Sequence, residues 1–261
     1  MLERELKAAL EAAKEAEKII REVYASNFQV EIKEDDSPVT SADKGADAKI
    51  RAILSSAFPA DGFLTEESKD TKERLSKRRV WVVDPVDGTQ EFVSRNGEFA
   101  TNIALVDNHE VVLGVINIPM EGNLYYAVKG QGAYKIDKDG NVSRIHVSAR
   151  KDSIKALCSR SFRNPKESEL AAKLSAKLDG PATPLGAALK FCRIAEGQFD
   201  LFIREYSGTK EWDVAAGDII VTEAGGFMVD GKDKRPFAYN REDVYNRSGY
   251  IVANSPDILR H

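Results

Sequence analysis

The stretch that most constrains this chain is Val80-Trp81-Val82-Val83-Asp84-Pro85-Val86-Asp87-Gly88-Thr89. A run of β-branched and aromatic residues predicts a strand, and Pro85, which lacks an N–H, ends the ladder just after the first carboxylate. The strand therefore delivers Asp84 and Asp87 to one point, with the Val86 carbonyl between them, and Gly88 lets the backbone come close to a ligand. Two carboxylates and a carbonyl are hard oxygen donors of the kind that Mg²⁺ takes. A helix starting near Thr89 would add free N–H groups beside them. Asp-Pro-x-Asp-Gly is also good turn chemistry after any strand, so the metal reading draws its weight from two further stretches. Phe63-Leu64-Thr65-Glu66-Glu67-Ser68 is another short apolar run ending in carboxylates. Lys210-Glu211-Trp212-Asp213-Val214-Ala215-Ala216-Gly217 sets Asp213 near the start of a helix.

With 261 residues, 42% of them hydrophobic, the chain can bury the core of one large domain or two closely packed halves. Its 38 basic and 42 acidic residues give a net charge of -4. The absence of any basic run excludes a nucleic-acid polymer as partner and leaves a small anion drawn by local cations. The start Met1-Leu2-Glu3-Arg4-Glu5-Leu6 is charged, and no apolar segment is long enough to span a membrane, so a soluble cytoplasmic protein is expected. Cys158 and Cys192 sit among apolar residues and read as buried free thiols. His109, His146 and His261 are too scattered for a zinc site or a Ser-His triad.

Leu2, Leu6, Leu10, Ala13, Ile20 and Tyr24 recur at helical spacing and predict an amphipathic helix over 2–26. Alternation over 28–33 predicts a strand. A second helix follows, with Ser41 as N-cap and Ala46, Ile50, Ile53 and Ala57 on its inner face. Asp43, in its first turn, suits either the helix dipole or catalysis. After a charged link over 68–79 and the central strand, apolar runs over 99–107, 110–118 and 123–128 form a meander. Residues 1–148 thus read as an α+β half with helices on a largely antiparallel sheet. Residues 149–261 read as an α/β half, with strands over 155–158, 199–203 and 249–253. Its helices are expected over 165–178, 185–196 and 212–224, the last stopped by Gly225-Gly226.

Thr65-Glu66-Glu67-Ser68, Asp84-Pro85-Val86-Asp87-Gly88-Thr89 and Trp212-Asp213-Val214-Ala215-Ala216-Gly217 together resemble the lithium-sensitive, Mg²⁺-dependent phosphatases of the inositol monophosphatase superfamily. The likeness covers nearly the whole chain and implies a layered αβαβα fold. It implies two or more Mg²⁺ ions: one held by Glu66, Asp84 and the Val86 carbonyl, a second by Asp84, Asp87 and Asp213, with Glu67 outside. Thr89 would orient the attacking water, with Asp43 or Glu66 as proton acceptor. Asp87, Gly88, Thr89 and Asp213 would also meet the substrate.

Finer features, Gln90-Glu91-Phe92, Arg95-Asn96-Gly97-Glu98-Phe99 and Leu189-Lys190-Phe191-Cys192-Arg193, are similar to the 3'(2'),5'-bisphosphate nucleotidase branch. That likeness implies removal of the 3'-phosphate of adenosine 3',5'-bisphosphate, with Lys190 and Arg204 on the second phosphate or ribose. Each of these two cations, taken alone, reads equally well as a solvated surface charge. One departure stands out: Gly186-Ala187-Ala188 carries no hydroxyl where the branch has a serine. Inositol monophosphate and fructose 1,6-bisphosphate are the alternative small-molecule esters, and a phosphate-binding regulatory module is the alternative of another class. The assembly expected is a monomer or homodimer.

Overall fold

The computed structural model describes residues 2–33, 37–161, 178–205 and 208–259. Helix α1 (Glu3–Ala25) buries Ala8, Ala9, Ala12, Ala13, Ala16 and Ile20. This alanine-rich stripe lets α2 (Ser41–Ala57) pack closely, since small side chains keep the two helices near each other. Of the expected inner face of α2, Ala46 and Ile50 are buried, with Ala42 and Leu54, whereas Ile53 and Ala57 are half-buried. The N-cap is Thr40 and not Ser41. The Thr40 hydroxyl accepts from the Ala42 N–H at 3.1 Å, and Asp43 accepts from the Thr40 N–H at 2.8 Å, forming a capping box. Between the helices, the expected strand shrinks to β1 (Val30–Ile32), paired antiparallel with β2 (Pro38–Thr40).

The seven-stranded sheet runs in the order β3 (Gly62–Thr65), β4 (Arg79–Asp87), β5 (Ala100–Asp107), β6 (Glu110–Ile118), β7 (Asn123–Val128), β8 (Gly132–Ile136) and β9 (Val142–Ile145). Within this sheet only β3 and β4 pair in parallel. The five-stranded sheet has the order β11 (Thr183–Leu185), β10 (Ala156–Ser159), β12 (Leu201–Arg204), β14 (Tyr250–Ala253) and β13 (Phe227–Asp230). Among the described residues three further α-helices follow: α3 (Thr89–Val93), α4 (Leu189–Ala195) and α5 (Glu211–Glu223). The helix expected over 185–196 is shorter because Leu185 pairs with Ser159 at the end of β11. The helix expected over 165–178 lies outside the described residues, apart from Leu178. The charged link over 68–79 contains a 3-10 turn, Glu73–Ser76. The two cysteines are not joined in a disulfide; Cys192 is buried and Cys158 half-buried.

The layers follow from strand parity. Trp81 and Val83 of β4 face the core beneath α1 and α2. Val80 and Val82 face the opposite core, shared with α4, α5 and the five-stranded sheet. On β12, Phe202 faces the same central core, while Leu201 and Ile203 cover the outer face with Ile154 and Ile258. The result is the layered α/β arrangement that the resemblance implies. No helix among the described residues is long and apolar enough to cross a membrane.

Helices α4 and α5 meet with no slack at Gly217. A Cβ added there would lie 2.3 Å from Cγ of the buried Phe191 ring. Gly217→Ala is therefore expected to destabilise the protein by about 1–3 kcal/mol through overpacking. Thermal denaturation checks this; an unchanged midpoint would mean that the helices separate freely.

Candidate active site

The same parity assembles the acidic groups. Leu64 and Val82 face the central core, so Glu66 and Asp84, each two residues on, leave their strands toward α5. Asp213 lies in the first turn of α5. The register of β4 against β5 shifts between Asp84 and Asp87, a bulge that returns Asp87 to the same side. Carboxylate oxygens of Asp84, Asp87 and Asp213 lie within 4.8 Å of one another. Gly88 closes the bulge at φ 93, where an added Cβ would lie 3.0 Å from the Ala187 Cβ.

Electrostatics agree with this crowding. Burial and then Glu66, Asp87 and Asp213 hold Asp84 well above the usual carboxylate range. Burial pushes Asp87 up to about 6 against the pull of Lys190 and Asn102. Burial, with Asp87 and Glu66, lifts Asp213 to about 7. Carboxylates this close do not all stay ionised unless a cation joins them, and the all-oxygen donor set fits Mg²⁺. Glu66 stands outside the tight triplet, near Asp84, and accepts from Lys33 Nζ at 3.2 Å. The same ammonium pairs with Glu67. Burial opposes the Lys33 charge, yet these two carboxylates hold its pKa above the ordinary value.

These raised values fix a pH dependence. Between the ordinary value of 3.8 and about 7, the folded cluster keeps protons that the unfolded chain has lost. The metal-free protein should therefore lose the cluster's contribution to stability as pH rises through that window. Thermal melts in chelator are expected to show this slope, flattened in Asp213→Asn and offset by MgCl₂ more at pH 8 than at pH 5. An identical slope in Asp213→Asn would remove Asp213 as its source.

Thr89 opens α3 beside the cluster. Its Oγ1 lies 3.1 Å from Asp43 Oδ1 and 3.2 Å from the Val86 carbonyl oxygen, so its single proton reaches either acceptor. Asp43 is 1% exposed, and burial raises its pKa against hydrogen bonds from Thr40 and Thr89. Asp43 thus combines capping of α2 with contact to Thr89.

A cavity of about 410 Å³ extends from the carboxylates to Lys190 and Arg204. Both cations are buried, at 6% and 5% exposure, which corrects the reading of solvated surface charges. Parity places Arg204 on the face of β12 shared with Phe202. Lys190 Nζ donates to the carbonyls of Leu185 at 3.1 Å and Ala187 at 2.6 Å. Burial lowers its pKa to about 8, against the attraction of Asp87 and with the repulsion of Arg204.

Several lining or supporting residues carry no sequence motif. Asn102 donates to Asp87 at 3.1 Å and was legible only as a polar residue inside the apolar run of β5. Ser159, at the end of β10, brings a hydroxyl to the cavity whose loop at Ala187 lacks one. Lys33 belongs to no motif, and nothing in the sequence joins it to Glu66 across 33 positions.

The chain is similar to known proteins over nearly its whole length. The Inositol monophosphatase family profile matches residues 1–260. The 3'(2'),5'-bisphosphate nucleotidase CysQ of Salmonella typhimurium is 36% identical over 244 residues, covering 92% of this chain and 96% of that protein. The Nus factor SuhB of Pasteurella multocida is 31% identical over 98% of this chain and 92% of that protein. The crystal structure of CysQ from Bacteroides thetaiotaomicron superposes with a TM-score of 0.84 at 35% identity, covering 95% of this chain and 97% of that one. With its profile match over residues 1–260 and its close-set carboxylate cluster, the chain belongs to the inositol monophosphatase family and is a phosphatase.

Proposed function

We propose that the chain removes the 3'-phosphate of adenosine 3',5'-bisphosphate by Mg²⁺-assisted attack of water. The observation that carries this reading is a single cavity with the carboxylate cluster at one end and the buried cations Lys190 and Arg204 at the other. A substrate with two phosphates has a use for both ends, whereas an inositol monophosphate brings no second anion to the cations. The bisphosphate nucleotidase relatives point the same way.

In this reading Asp84, Asp87 and Asp213 hold Mg²⁺, with Glu66 and the Val86 carbonyl completing a neighbouring position. The bound ions supply a lower pKa for the attacking water and charge neutralisation at the leaving oxygen. Thr89 accepts a hydrogen bond from the water while donating to Asp43 or Val86, which fixes the line of attack. Asp43 takes the proton through Thr89, because its oxygen is the one at 3.1 Å while Glu66 is engaged by Lys33. Lys190 and Arg204 bind the remaining phosphate, and the Ser159 hydroxyl stands in for the missing serine at Ala187.

Phosphate release from adenosine 3',5'-bisphosphate with and without MgCl₂ tests the proposal. Activity should require the metal and should fall in millimolar LiCl, because Li⁺ is a small hard cation suited to the same oxygen set. Metal-independent turnover, or turnover unaffected by LiCl at limiting Mg²⁺, would overturn the site assignment.

A further inference from the structure

The first turn of α5 is held by a polar brace that the chemistry above does not use. Glu211, two residues before Asp213, is fully buried. Its carboxylate accepts from the backbone N–H groups of Asn240 at 2.7 Å and Arg241 at 2.9 Å, and from Arg241 Nε at 3.0 Å. The rest of the Arg241 guanidinium reaches the Asn246 side chain at 2.8 Å and the carbonyls of Val244 and Tyr245 at 3.3 Å. Asn246, 1% exposed, donates to the Lys210 carbonyl at 2.9 Å. Backbone bonds run from the Glu211 N–H to Val244 O and from the Asn246 N–H to Thr209 O. Residues 209–211 and 240–246 are thus zipped together immediately before Asp213.

The far side of this segment is anchored too. Buried Arg74 donates to the Asn240 side chain at 2.7 Å and to the Arg241 carbonyl at 3.0 Å, and makes a two-pronged pair with Asp70. The Arg74 turn lies against β3, since a Cβ on Gly62 would lie 3.2 Å from Arg74 Cα. The segment therefore spans from the strand that ends before Glu66 to the helix that presents Asp213.

Asp213 needs such a brace for a physical reason. Its carboxylate stands within 4.8 Å of those of Asp84 and Asp87, and like charges at that separation push the helix end outward. A buried carboxylate receiving two N–H groups and a guanidinium fixes the helix end against that force, because breaking it strands a buried charge.

We propose that residues 240–246, through Arg241 and Glu211, are a strut that positions Asp213 and so sets the Mg²⁺ affinity of the carboxylate cluster. Arg241 and Glu211 are positioning residues, and the proposal rests on the reading of that cluster as the metal site. Titration calorimetry with MgCl₂ on the metal-free full chain tests it in wild type, Arg241→Ala, Arg241→Lys and Arg150→Ala. Arg150 pairs with buried Asp200, at the opposite end of β12 from Arg204, so its loss costs stability away from the cavity.

The expected result is a weakening of Mg²⁺ binding by about tenfold or more in Arg241→Ala, on the scale seen for residues that orient metal ligands. Arg241→Lys should fall between, since an ammonium cannot reproduce the planar fork. Arg150→Ala should bind as wild type does. If Arg241→Ala does not fold, Arg241→Lys carries the comparison. Binding within twofold of wild type in the folded Arg241 variants, or an equal loss in Arg150→Ala, would overturn the strut. A wild type that binds no Mg²⁺ would instead overturn the metal-site reading, and the strut's purpose with it.

Discussion

Asp87→Asn is expected to leave the fold intact and to lower kcat by about a thousandfold or more at saturating MgCl₂. The substitution changes almost no volume, and the Asn102 side chain remains beside it, so the cavity keeps its shape. What it removes is one of three negative charges whose oxygens lie within 4.8 Å of one another. In the proposed mechanism those charges would hold the metal, and the loss of one would be felt most where charge builds up in the transition state. Single-turnover phosphate release, with circular dichroism to confirm the fold, checks this. Near-normal rates at ordinary MgCl₂ would exclude Asp87 as a ligand.

Lys190→Ala is expected to weaken kcat/KM for adenosine 3',5'-bisphosphate by about 1–3 kcal/mol, and to leave inositol 1-phosphate turnover nearly unchanged. A buried cation meets a phosphate without water in between, so its loss appears as discrimination between substrates with one and two phosphates. The ammonium also holds the carbonyls of Leu185 and Ala187, so part of any loss comes from the loop at Gly186. Inositol 1-phosphate turnover, which depends on the same loop but has no second phosphate, separates the two contributions. Equal losses on both substrates, or a wild-type preference for inositol 1-phosphate, would move the assignment to the inositol monophosphatase branch.

The chemistry at the centre was legible because it is local. Asp84, Val86, Asp87 and Thr89 lie within six positions at the end of one strand; Pro85 does not end the pairing as expected, because a bulge between Asp84 and Asp87 takes it up and the ladder resumes at Asp87 with Ala100. Glu66 and Asp213 were legible as the ends of their own elements. Helices α1, α2 and α5 and the meander β5 to β7 also followed from periodicity and turn residues. Element ends were less legible. The cap of α2 moved to Thr40 because its side chain both accepts from the Ala42 N–H and donates to Asp43, a choice between adjacent hydroxyls that sequence leaves equal. The helix over 185–196 lost its first turn because a parallel partner, β10, claimed Leu185, and pairing across distant positions leaves no local mark.

What the sequence by itself determined is the kind of chemistry: hard oxygen donors at strand and helix ends, in a chain with a large core and no basic run. Two things were decided only by tertiary structure. Whether Lys190 and Arg204 are solvent-facing or buried against a cavity depends on layers contributed by α4, β12 and β14, and no neighbour in sequence reports it. Which groups support the carboxylates is equally non-local: Lys33 reaches Glu66, Asn102 reaches Asp87, and Arg241 reaches Glu211. Sequence periodicity records the face of an element that a side chain occupies. Its partner is set by how separate elements pack, and burial then gives those contacts their strength by removing the water that would compete for them.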